Sequence, residues 1–297
     1  MVPAIPLTAE ELAIRLQDAR NVNYVNLAGF IIVYFDWLLT FDSEIRLIWS
    51  VEGVKMKVLY AFTRYLPLTY FPLFFHYHFI TGHPVSECNK LYQTVGLMFT
   101  IAAICAALIV TIRTWAVWGK EKYMTYLLFG TYTVASVLIL VFFILSVEYT
   151  THPVLNLGLA LGCNPKFETL YLPAAFVVEA VYDTAILLLM VIRGASHFRQ
   201  GINSRLSRTV YSDSILFYVY ISIISIANFG LLFSRGGYRV FLLMFQGGAR
   251  SVLACRIVLR IRVQYDKLQV KKPLNTKTGY APQAVHIRTT VIQSSDA

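Results

Sequence analysis

Seven stretches of the chain are almost wholly apolar, near residues 24–41, 56–80, 91–115, 123–147, 170–192, 214–234 and 239–259. Most are about 20 residues long, the length that crosses ~30 Å of hydrocarbon at 1.5 Å per residue. Backbone groups in lipid must be satisfied within the segment, so these stretches predict helices. The alternating short segments of a membrane barrel do not occur. The expected fold is therefore all-α, a polytopic transmembrane bundle of seven helices. Pro67 and Pro72 predict a kink in the second. Residues 1–23 read as a short extramembrane segment, with Thr8 to Glu11 opening a surface helix. Residues 24–262 make the membrane domain, and 263–297 a polar cytoplasmic tail too poor in apolar surface to order itself.

The distribution of basic residues sets the orientation. With the N-terminus outside, the inner side carries Arg46, Lys55, Lys57, Arg113, Lys120, Lys122, Arg193, Arg199, Arg205, Arg208 and the tail from Arg256 onward. The outer side carries only Arg15, Arg20, Lys90, Lys166, Arg235 and Arg239. Composition agrees: 57% of the 297 residues are hydrophobic and 14% are charged, against about 25% charged in a soluble domain. The net charge of +10 does not point to nucleic acid, because the basic residues lie between apolar stretches. The lipid bilayer is the expected partner, in the plasma membrane or another endomembrane. Arg256, Arg260, Arg262 and Lys267 lie close to the inner leaflet, where enforcement of topology is the first reading and contact with anionic headgroups the second.

Charges inside the apolar stretches are the candidate chemistry, since each costs ~2.5–3.5 kcal/mol at the middle of a span. Asp36 in the first stretch and Arg64 in the second lie at depths that agree within ~3 Å, so they are expected to pair. Glu179 and Asp183 share one face of the fifth at i, i+4, and Gln246 and Arg250 share one face of the seventh. Both sets lie about 12–18 Å below the outer surface. Tyr182 and Asn228 are candidates to join them, either in a buried structural cluster or in a polar pocket or ion path.

Other groups carry less. His76, His78, His83 and His152 lie toward the outer face, but no HxxxH or HExxH pair occurs, so no metal and no cofactor is expected. Cys88 and Cys163 both fall in outer segments, where an oxidising compartment permits a bridge. That placement resembles the loop disulfide of seven-helix receptors. The Asp-Arg-Tyr and Asn-Pro-x-x-Tyr patterns of such receptors are missing, so the likeness is one of topology. Cys105 and Cys255 read as packing residues, Cys255 being close enough to the surface for acylation.

Several strings are familiar as strings. Tyr24 to Ala28, Tyr34 to Phe41, Glu44 to Trp49, Lys57 to Leu59 and Arg64-Tyr65 together resemble the N-terminal signature of an uncharacterised family. Its members are multi-pass membrane proteins of basidiomycete fungi, grouped as domain of unknown function 6533. Ile112 to Lys120 and Cys255 to Arg262 resemble two further recurring segments. The resemblance implies the membrane class and a fungal source, and no activity, ligand or catalytic residue. The leading expectation is a receptor-like or sensor protein with an intramembrane pocket for a small-molecule ligand. A small transporter or channel using Glu179, Asp183 and Arg250 comes second. A membrane hydrolase comes third, lacking any nucleophile or metal motif.

Overall fold

The computed structural model describes residues 9–51, 53–79, 84–151, 163, 166–167, 170–199, 205–232 and 242–270. Among these, seven long α-helices follow in order: α1 (Ala9–Glu44), α2 (Val54–Phe79), α3 (Val85–Val117), α4 (Lys122–Tyr149), α5 (Tyr171–Arg199), α6 (Arg205–Leu232) and α7 (Leu243–Val270). A five-residue π-helix, Ile45–Trp49, widens the end of α1. α1 has no break between the expected surface segment and the first apolar stretch. α7 runs beyond position 262 into the stretch expected to be tail. α2 stays helical through both Pro67 and Pro72. Among the described residues the only strands form a ladder of two residues a side, Thr150 opposite Phe167 and Thr151 opposite Lys166, between α4 and α5.

Among the described residues, four helices are long and apolar enough to cross a membrane: Arg20–Trp49, Val85–Val117, Lys122–Tyr149 and Tyr171–Ser196. α2 and α7 fall short for a chemical reason. α2 carries Arg64 among tyrosines, histidines and prolines, and α7 carries Arg250, Arg256, Arg260 and Arg262. The apolar faces are turned outward to an unusual degree. Only 11% of the most apolar stretch of α4 is buried, and Tyr126, Val134, Ile144, Val181 and Ile226 are all exposed. A water-soluble monomer does not leave so continuous an apolar surface uncovered.

The interior is organised on α7. It packs along α1, α2, α3 and α6, and α1 lies chiefly against α7. One core layer joins Val33, Tyr70, Phe71, Phe99, Met244 and Val252. A second joins Ile48, Tyr60, Ile109, Ala254, Cys255 and Val258. A third, between α3, α4, α5 and α6, holds Leu128, Tyr182, Ile186, Met190 and Tyr218. Two glycines allow α7 its central place, as small residues do where membrane helices approach closely. A Cβ on Gly247 would enter the Phe99 ring, and one on Gly248 would stand 2.8 Å from Val33 Cγ2.

Gly247→Leu is therefore expected to lower stability by ~1–3 kcal/mol through overpacking. Gly130→Ala on α4 meets no atom within 4 Å and is expected to raise stability by ~0.5–1 kcal/mol through helix propensity. Equilibrium unfolding in mixed micelles measures both. A tolerated leucine at 247 would contradict the packing described.

Candidate functional site

Three constructions hold the helices in register. The first is a disulfide between Cys88, at the start of α3, and Cys163, with Cα atoms 5.6 Å apart. The Cys163 amide also donates to the Tyr77 carbonyl at 3.0 Å, so the loop is pinned to both α2 and α3. A bridge closing so long a loop contributes ~2–4 kcal/mol.

The second is an ion cluster where α1, α2 and α7 meet. Arg64 Nη1 donates to Asp36 Oδ2 at 2.5 Å, and its Nη2 donates to the Asp36 carbonyl at 3.1 Å and to Thr40. Arg256 Nε donates to Asp36 Oδ1 at 2.5 Å. Glu44 lies 3.8 Å from Arg64 Nε. It accepts from the Trp49 indole at 2.9 Å and from the hydroxyls of Tyr60 at 3.4 Å and Tyr65 at 2.5 Å. Asp36, Glu44 and Arg64 are all buried. The sequence reading pairs Asp36 with Arg64, sets Arg256 beside the headgroups and names no partner for Glu44. The signal for Glu44 was present: Asp36, Thr40 and Glu44 follow at i, i+4 and i+8 along one helical face.

The third joins α5, α6 and α7. Arg250 forks, Nη1 donating to Glu179 Oε1 and Nη2 to Asp183 Oδ2. Ser225 donates to Asp183 Oδ2 at 3.0 Å. Gln246 Nε2 donates to Ser225 Oγ at 3.0 Å, and Asn228 Nδ2 donates to Gln246 Oε1. The structure thus brings together Glu179, Asp183, Gln246, Asn228 and Arg250, and adds Ser225, which sits three residues before Asn228 on the same face. Tyr182 does not join them. Its hydroxyl pairs with Thr111 at 2.5 Å and its ring packs toward Tyr132 on α4. Adjacent residues on a helix point about 100° apart, which turns Tyr182 away from its neighbouring acid.

Above this network lies a cavity of about 130 Å³, walled by α1 to α5 and α7. Its wall is mostly aromatic and aliphatic, including Phe74, Tyr92, Phe99, Phe143 and Phe176. Glu179, His78 and Asn26 are polar members of the wall. Asn26 is 1% exposed, and among the described residues neither its Oδ1 nor its Nδ2 has a hydrogen-bond partner. Sequence reasoning missed Asn26, because an amide near the end of an apolar stretch is an ordinary interfacial residue until its burial is known. No group of three or more metal-ligating side chains occurs among the described residues. His83 and His152 lie outside them.

Apolar outward faces, inward ion clusters and a cavity among the helices define a helical integral membrane protein. Residues 24–69 match a family of unknown function (DUF6533). That segment holds Asp36, Glu44 and Arg64, but not Arg256. No curated protein matches the chain.

Arg250 is the only cation bonded to Glu179 and Asp183 among the described residues. Arg250→Met is therefore expected to cost ~3–5 kcal/mol, because it strands two buried carboxylates. Combining it with Glu179→Gln and Asp183→Asn should recover most of the loss. Arg256→Met, at a side chain 41% exposed, should cost about 1 kcal/mol or less. Unfolding in mixed micelles ranks the three. A triple variant no more stable than Arg250→Met would refute the pairing as the source of the cost.

Proposed function

We propose that the protein is a receptor-like or sensor protein of seven membrane-spanning helices, its N-terminus outside and its C-terminal segment cytoplasmic. Its small-molecule ligand binds in the cavity walled by α1 to α5 and α7, in the plasma membrane or another endomembrane. The observation that carries the reading is the position of Glu179. It lies on the wall of a mostly apolar cavity and is bonded to Arg250, the residue that joins α5 to α7. A ligand that touches Glu179 acts on that joint directly. Six residues further along α7, Arg256 is bonded to Asp36 on α1. One rigid helix therefore connects the ligand site with the inner ion cluster. Concave, largely apolar sites with a few placed polar groups are where small ligands bind. The inward, paired arginines of α2 and α7 suit spanning helices, since charges within a membrane face the bundle and each other. Arg113 and Arg262, on the wall of a cleft of about 400 Å³ between α2, α3 and α7, favour contact with anionic headgroups.

A small transporter is the second reading. It is favoured by the two buried acids Glu179 and Asp183 and by the hydrogen-bonded string that runs from Asp183 through Ser225 to Gln246 and Asn228, a polar seam across α5, α6 and α7. Liposomes separate the two. Proton flux in the unmodified protein, lost in Asp183→Asn, would favour transport over signalling.

Two measurements test the leading reading. In nanodiscs, benzyl alcohol is expected to raise the melting temperature of the unmodified protein and not that of Ala175→Trp, whose indole would fill the cavity from α5. Equal shifts in both would remove the cavity as a ligand site. In intact cells, Thr278→Cys is expected to resist an impermeant maleimide and to react after permeabilisation. Labelling before permeabilisation would reverse the orientation.

A further inference from the structure

The two buried ion clusters differ in charge balance. Asp36 and Glu44 are met by Arg64 and Arg256, two acids by two guanidiniums. Glu179 and Asp183 share Arg250 alone. Among the described residues no second cation is bonded to either acid. The α5–α7 cluster therefore carries one more negative group than positive. An uncompensated charge away from water is unfavourable. Two things cancel it: a proton on one carboxyl, or a cation that arrives from outside.

Of the two acids, Glu179 is the one placed to meet such a cation. It lies on the cavity wall, whereas Asp183 is held by Ser225 and Arg250. Arg250 bonds to Oε1 of Glu179. A carboxylate accepts through both oxygens, so Oε2 has capacity for another donor. The remaining wall suits the same guest. Phe74, Tyr77, Tyr92, Phe99, Phe143 and Phe176 surround the space, and a cation is attracted to aromatic faces, most strongly where water is excluded. Asn26 adds to the α1 wall a buried carbonyl oxygen that has no partner among the described residues, a further acceptor for a donor in the cavity. An anionic guest would meet Glu179 with like charge.

We infer that the cavity, taken as the ligand site proposed above, receives an organic cation. The ligand is a primary or secondary ammonium on a small apolar body, with the ammonium on Glu179 and the body among the aromatic rings. The volume of about 130 Å³ is that of a single ring, since a dry cavity of ~150 Å³ holds benzene.

Benzylamine and benzyl alcohol test this, because they match in shape and differ in the charged group. Each is titrated against the purified protein in nanodiscs at neutral pH, with Ala175→Trp as the control for binding elsewhere. Benzylamine is expected to reach half its melting shift at a concentration at least tenfold below that of benzyl alcohol. Glu179→Gln is expected to abolish that preference while leaving the alcohol's shift. The comparison in the unmodified protein stands whether or not Glu179→Gln folds. An alcohol that binds as tightly as the amine overturns the inference and leaves the ligand cavity intact. A preference that survives in Glu179→Gln also overturns it. No cavity-dependent shift with either probe overturns both the inference and the reading on which it rests.

Discussion

An arginine cannot shed its charge when a helix carries it out of water. Wherever it goes, acceptors must be waiting. Arg64 and Arg250 are 1% and 3% exposed, and the rest of the bundle is arranged around meeting them. Apolar side chains decide which face of a helix turns inward, but they tolerate rotation and sliding at little cost. A guanidinium bonded at two of its nitrogens to acceptors on a neighbouring helix tolerates neither. Arg250 therefore sets the register of α7 against α5, and Arg64 sets α2 against α1. The close approach at Gly247 and Gly248 then lets α7 lie deep enough for its arginines to reach both sides.

Much of this was legible in the residues alone, and what was not has physical causes. Helical class follows from apolar stretches of spanning length, and each expected stretch falls within or close to one helix. Helix ends are less legible. The polar first turns of α1 and the basic last turns of α7 continue their helices by propensity and tertiary support, which hydropathy does not record. Asp36, Arg64, Glu179, Asp183 and Arg250 stand out because an ionised group in an apolar stretch is rare. Arg256 does not, because Arg260 and Arg262 follow it and the three read together as a surface run; only the packing of α1 on α7 turns Arg256 toward Asp36. Tyr182 was drawn to the acids by sequence proximity, and helical geometry sends it to Thr111 instead.

The segment that matches a known family and the cavity are largely separate in the chain. Apart from Asn26, every cavity residue lies outside 24–69. That segment contributes scaffold: the α1–α2 corner, the widened turn at Ile45–Trp49 and three of the four ionised groups of the cluster where α1, α2 and α7 meet. The cavity wall comes from Val22 and Asn26 on α1, from the C-terminal half of α2 and from α3, α4, α5 and α7. The α5 end of that wall bears the fork of Arg250, so wall and scaffold meet on α7.

The distances along the chain between ionic partners give the bundle an order of assembly. Arg64 follows Asp36 by 28 residues, so both leave the ribosome as one helical hairpin and neutralise each other at once. Glu179 and Asp183 precede Arg250 by 71 and 67 residues. Through the synthesis of α6 they stand in the nascent bundle without a counter-charge. The arrival of α7 supplies Arg250 to them and Arg256 to Asp36 in a single step. A chain that stops short of α7 thus keeps two carboxylates without the counter-charge that α7 brings, and the cost of that state falls away only when α5 and α7 meet.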